Sequence, residues 1–187
     1  MSPPTYWELR ERHPPPSTMG SMPLRHLVEI LEAEEIVIPD YQRGRAWTED
    51  QSSAFVGHWL EGGSVSPLYV QRWADPARPE ELVDGLQRAT ALHRFYRGEI
   101  QAHLHDGVRF YFQELQVGDQ KRVAGHTLSI PIAYLTLATR ADVLRFYLRV
   151  NRGVAHAPSE LARVEALLAA EVVAHTEAAK HAAGSAT

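Results

Sequence analysis

The spacing of apolar and polar positions predicts a chain of short mixed elements. Leu24, Leu27, Val28 and Leu31 recur at i, i+3, i+4 and i+7, the stripe of an amphipathic helix, with Ser21 placed to cap it. The β-branched run EIVIPDYQR predicts a strand ending at Pro39, followed by a polar loop from Asp40 to Arg45. In WTEDQ, Thr48 and Gln51 have the spacing of a capping box, which opens a helix carrying Phe55, Val56, Trp59 and Leu60 and stopping at Gly62 and Gly63. PLYVQRW then predicts a strand, ADPARPE a turn, and ELVD a short strand running into a helix from about Gln87 to Arg97, with Gly98 as its stop. Further on, VRFYFQEL and HTLSIPIAYL read as strands. Thr139 and Asp142 box the helix VLRFYLRV, and Ser159 opens a last helix striped by Leu161, Val164, Leu168 and Val172. The helical spacing makes Leu27, Val56, Trp59, Leu92, Phe95 and Leu144 interior positions. The order of elements predicts an α/β (α+β) fold: a small mixed sheet flanked by helices, with a helical C-terminal part.

A length of 187 residues bounds this to one domain with a real core, and 44% hydrophobic against 22% charged residues is the balance of a folded chain rather than a disordered one. The proline clusters of residues 1–20 predict a flexible arm; residues 21–135 form the globular unit, and residues 136–183 pack on it as helices. No apolar run reaches the roughly 18 to 20 residues of a membrane span, and the N-terminus lacks the apolar core of a signal peptide. No membrane partner is expected, and a cytoplasmic address follows as the default. The absence of cysteine removes disulfides, thiolate nucleophiles and thiolate metal sites. The ten histidines stand singly, without zinc-site spacing. A net charge of −4 argues against nucleic-acid binding by bulk charge, so any polyanion site must be local.

Three polar knots lie at element ends: Tyr41-Gln42-Arg43-Gly44-Arg45, then Asp84-Gly85-Leu86-Gln87-Arg88 with Thr90, and Asn151-Arg152-Gly153. Ligands of open α/β sheets lie beyond strand ends and beside helix N-termini, where N–H groups and the helix dipole attract anions. In the second knot Gly85 lets the backbone approach a ligand, Arg88 can fork onto phosphate oxygens and Gln87 can orient a water. Asp84 can act as a base or hold Mg²⁺ through water, although one carboxylate is a thin metal site. The competing reading of the same residues is structural: Asp84 paired with an arginine, Gln87 and Thr90 solvated, and Gly85 a turn glycine.

The segments IPDYQRGRAWTEDQ and VDGLQRATAL, separated by PLYVQRW, resemble the domain of unknown function 262 family, the N-terminal module of GmrSD-type restriction endonucleases and related phage-defence proteins. Its fold is similar to that of the ParB and sulfiredoxin-like superfamily. The family pattern is I-P-x-Y-Q-R with a following tryptophan, D-G-Q-Q-R before a helix, and a later N-x-G, matched in RVNRGVAHAPSEL by Asn151 and Gly153; the likeness runs from about Leu24 to Leu168. It implies a nucleoside triphosphate site with Mg²⁺ and an NTPase function, in which Asp84, Gln87 and Arg88 are the catalytic group. Tyr41, Gln42, Arg43, Arg45, Gly85, Thr90 and Asn151 would hold nucleotide and phosphate, and Asp84 alone would touch metal. Leu86 stands where the family has its first glutamine, which implies weakened hydrolysis with binding retained. The chain after the last helix leaves no room for the nuclease domain of relatives, so DNA or a separately encoded nuclease subunit is an expected partner, and an oligomer is compatible. The alternative is a non-enzymatic module that binds DNA or a nuclease through the same arginines. Direct phosphodiester cleavage is disfavoured by the single carboxylate.

Overall fold

The computed structural model describes residues 3, 18–42, 47–151 and 158–184. Five strands, β1 (Thr18–Pro23), β2 (Ile36–Val37), β3 (Leu68–Gln71), β4 (Glu80–Asp84) and β7 (Ser129–Leu135), form one mixed sheet in the order β1-β7-β3-β4-β2. The strands β5 (Ala102–His103) and β6 (Arg109–Phe110) make a separate antiparallel pair. Six helices surround them among the described residues: α1 (Leu24–Glu32), α2 (Glu49–Leu60), α3 (Leu86–Arg97), α4 (Val117–Ala124), α5 (Arg140–Asn151) and α6 (Pro158–Gly184). Within the sheet β2 runs parallel to β4 and β3 parallel to β7, while β3–β4 and β1–β7 are antiparallel.

Strand periodicity divides the core in two. On β4, Leu82 faces the layer of α1, α2 and α3, whereas Val83 faces α5 and α6; β7 does the same with Ile132 and Leu135. The predicted interior positions Leu27, Val56, Trp59, Leu92, Phe95 and Leu144 are all buried, the last in the second cluster and the others in the first. The capping box of α2 is formed: the Thr48 hydroxyl accepts from Gln51 N (3.2 Å), and Gln51 Oε1 accepts from Thr48 N (2.9 Å). Asp142 N likewise donates to the Thr139 hydroxyl (3.1 Å) ahead of α5.

Five expectations need correction. Residues 18–20, expected in a flexible arm, belong to β1, whose six residues pair with β7 from Thr18↔Tyr134 to Pro23↔Ser129. Ser21 is consequently a strand residue, and α1 starts at Leu24 behind Pro23, which provides no side-chain cap. The strand expected to run to Pro39 is only two residues long, because proline has no N–H for the ladder and the chain turns at once into a 3-10 turn at Asp40–Gln42. VRFYFQEL stops as a strand at Phe110: Tyr111 N donates to Glu114 Oε2 (2.7 Å), and the 3-10 turn Phe112–Glu114 packs Phe112 edge-on against Phe95, 5.7 Å away. In α6, Val164 is buried but Val172 is exposed, so the predicted stripe holds only over the helix's first part.

Candidate functional site

The parallel strands β2 and β4 are neighbours, so their C-terminal ends open on the same edge of the sheet. Beyond β2 lies the turn Asp40–Gln42; beyond β4 lie Gly85 and α3. Gly85 has φ 104° and ψ 13°, a left-handed conformation, and a Cβ there would sit 2.5 Å from Leu68 Cδ2 and 3.0 Å from Arg88 Nη2. Both the backbone and the space demand glycine. Glycine brings no side chain, so the first turn of the twelve-residue α3 carries no side-chain cap.

Arg88 lies one turn into the helix. Its Nη2 donates to Asp84 Oδ2 (2.8 Å) and to the Pro67 carbonyl (3.1 Å), with both charged side chains 19% exposed. The structural pairing of Asp84 is therefore present. Yet Arg88 Nε is buried and has no acceptor among the described residues. An unpaired donor on a charged group is costly to bury, and its natural partner is an anion. Gln87 is not a solvated side chain: its Oε1 accepts from Trp47 N (2.9 Å). On the other strand end, the buried Gln42 donates through Nε2 to the Leu82 carbonyl of β4. Gln42 and Trp47, the described residues on either side of residues 43–46, thus hydrogen-bond to β4 and α3; Arg43 and Arg45 themselves lie outside the described residues.

The structure gathers Asp84, Gly85, Gln87 and Arg88 into one turn and sends Tyr41 elsewhere. The Tyr41 ring is buried in the second core cluster, edge-on to Tyr147 at 5.2 Å, and its hydroxyl has no hydrogen-bond partner among the described residues. Burial pushes this phenol up, and the Glu81 carboxylate pushes the same way. Asn151, at the end of α5, is also buried and donates to the Tyr147 carbonyl (2.9 Å). Glu81 takes Trp73 Nε1 and Arg78 Nη2 on Oε1, each at 3.1 Å, and leaves a buried Oε2 unpaired among the described residues. A glutamate inside the stretch ELV was the signal for this second polar group, but its partners, Trp73 and Arg78, come from the connection between β3 and β4 and no local pattern announces them.

Thr90 is exposed on α3 and lines a groove of about 520 Å³ between α1, β2 and α3, together with Glu34, Ile36, Ile38, Leu86 and Ala89. Leu86, standing in the family's glutamine position, is half-buried against the core and forms part of this wall. Among the described residues no group of three histidine, aspartate or glutamate side chains is placed to hold a metal ion, and one oxygen of Asp84 is committed to Arg88. Nor is any described helix long and apolar enough to cross a membrane.

Residues 27–161 match the model of the GmrSD restriction endonuclease N-terminal domain. Among curated proteins no match is found. Among solved structures, the chain is similar to the C-terminally truncated chromosome-partitioning protein ParB from Caulobacter crescentus complexed with CTP-gamma-S, with 17% identity and a TM-score of 0.41 over 75% of this chain. The chain spans 55% of that ParB chain.

Proposed function

Because the chain belongs to the GmrSD restriction endonuclease N-terminal domain family, we propose that the β4–α3 turn holds the phosphates of a nucleoside triphosphate. The observation that carries this reading is the Arg88 guanidinium, whose buried Nε–H lacks an acceptor beside a helix N-terminus opened by glycine. Phosphate oxygens would meet the part of the Arg88 side chain left exposed, 19%, and would reach the buried Nε–H only if the turn opens. Arg43 and Arg45 add charge from the segment whose flanks, Gln42 and Trp47, are bonded to β4 and α3.

Mg²⁺ fits this turn only as an ion carried by the nucleotide, with Asp84 contributing at most the carboxylate oxygen that Arg88 does not take. Bound there it would offset charge on the phosphates. Gln87 accepts through Oε1, which leaves its NH₂ group to orient a water or phosphate oxygen by donation. Asp84, the carboxylate of the turn, is engaged by Arg88, so hydrolysis would be slow and binding the principal activity. Coupling to a DNA-cutting partner is part of the same proposal. The rival reading, a DNA-binding module without nucleotide, needs a broad basic face. Arg72, Arg78, Arg94, Arg97, Arg122, Arg140 and Arg145 are all paired with carboxylates instead.

The test is thermal denaturation with each of the four common ribonucleoside triphosphates, with and without Mg²⁺. A ligand that binds only the folded state at a hundred times its Kd adds about 2.7 kcal/mol of stability, which raises Tm in a saturable way. No shift with any of the four ends the nucleotide reading.

A further inference from the structure

We propose that the groove between α1, β2 and α3 receives the nucleoside half of the nucleotide, and that Glu34 accepts an N–H from its base. The proposal rests on the phosphate reading of the neighbouring turn. Leu86, the first residue of α3, and Thr90, one turn later, both line the groove, so it opens beside the helix end where the phosphates would lie. Its volume of about 520 Å³ falls in the range of small-molecule sites, roughly 300 to 1,000 Å³. Ile36, Ile38, Leu86 and Ala89 offer apolar surface for a flat ring, while Thr90 and Glu34 supply polar groups at the rim.

Glu34 is the observation that singles out this groove. Helix α1 ends in a Schellman-type turn, in which Glu35 N donates to the Ile30 carbonyl (3.0 Å) and Glu34 N to that of Leu31 (3.4 Å). The residue at this position must be left-handed, and Glu34 has φ 54°. Every other positive-φ residue described, including Gly98 at the corresponding end of α3, is glycine. A glutamate is strained where glycine would be comfortable, and among the described residues its carboxylate makes no hydrogen bond or ion pair that would repay the strain. What remains is a free carboxylate at the edge of the groove. Every nucleobase presents at least one N–H there for it to accept, which an inorganic phosphate chain does not.

Calorimetric titration of the full chain and of the variants Glu34→Gln and Glu34→Gly, with Mg²⁺, separates the two halves of the ligand. Tripolyphosphate reports on the turn alone; the four ribonucleoside triphosphates report on turn and groove. We expect tripolyphosphate to bind all three proteins alike, and at least one triphosphate to bind wild type more tightly than tripolyphosphate. Glu34→Gly should lose roughly ten- to a hundredfold in affinity for that nucleotide, and Glu34→Gln less, since the amide oxygen still accepts. The ligand-free Tm of Glu34→Gly should equal or exceed that of wild type, which rules out a folding defect as the cause. Undiminished nucleotide binding by Glu34→Gly, or an equal loss toward tripolyphosphate, overturns the role of Glu34 and the groove while leaving the phosphate turn standing. Failure of wild type to bind either class of ligand overturns the phosphate turn and this proposal with it.

Discussion

At Gly85 a single residue sets both the backbone reversal and the distance between β3 and α3. With φ 104° and Leu68 Cδ2 2.5 Å from where a Cβ would stand, Gly85→Ala should lower stability by about 1 to 3 kcal/mol, read as a fall in Tm, and should weaken nucleotide binding as well. Arg88 calls for a different substitution. Alanine would leave Asp84 unpaired in a largely buried site and cost roughly 1.5 to 3 kcal/mol, which confuses a fold effect with a binding effect. Lysine keeps the charge beside Asp84 but lacks the planar fork and the Nε–H. Arg88→Lys should therefore melt near wild type and lose the nucleotide-induced shift; retention of the full shift would show that the buried Nε–H has no part in binding. What was legible in the sequence at this scale is what neighbours along the chain decide: Gly85 as a reversal, Gly98 as a stop, and Asp84 and Arg88 within reach of each other at i, i+4. The burial of Tyr41 under Tyr147 was not legible, because the two meet across more than a hundred residues.

Elements declared themselves where their ends carry local chemistry. The Thr48–Gln51 box announced α2, and Thr48→Ala should cost about 1 kcal/mol of stability, measured by chemical denaturation. The strand β1 gave no such sign, since TMGSMP has neither alternation nor caps and becomes a strand only by pairing with β7. The contact between α2 and the β5–β6 hairpin can be read by pH. Glu61, just past the end of α2, accepts from the His105 ring and from its backbone N–H (3.2 Å). The hydrogen bond to Glu61 holds the His105 pKa above its ordinary 6.5, and that to His105 holds Glu61 below its ordinary 4.5. A raised histidine contributes stability that is full below 6.5 and lost as pH rises through the folded value. A depressed glutamate contributes above 4.5 and is lost as pH falls through its folded value. The pair is thus strongest between those two pH values, and the Tm difference between wild type and His105→Gln should be larger at pH 5.5 than at pH 8. An equal difference at both would mean that the charged pair does not form in solution. Both groups are exposed, so salt should shrink the effect.

Over the whole molecule, the sheet is covered on both faces, and this bears on whether residues 136–183 are an appendage or half of the core. Leu68, Val70, Leu82 and Ile132 face the layer of α1 to α3, while Val83, Leu135 and Tyr41 are buried with Val143, Leu144 and Phe146 of α5. A chain ending at Leu135 would keep the whole β4–α3 turn in sequence but uncover that second set, at roughly 1.5 to 3 kcal/mol for each large apolar side chain returned to water. Several such losses exceed the 5 to 15 kcal/mol by which a domain is stable. Residues 1–135 expressed alone should therefore fail to give a cooperative melt, whereas the full chain carrying Leu144→Ala should melt in one transition, destabilised by about 2 to 5 kcal/mol. A cooperative melt of residues 1–135 within a few degrees of the full chain would show that α5 and α6 are dispensable. The outcome also bears on the site. β4 carries Leu82 and Asp84 on one face and Glu81 and Val83 on the other, so the strand that presents Asp84 to Arg88 is held in place from the α5 side as much as from the α3 side. If α5 is needed for folding, substitutions beneath it should lower nucleotide affinity only in proportion to the stability they remove, and a loss of binding at unchanged Tm should be confined to the turn and the groove.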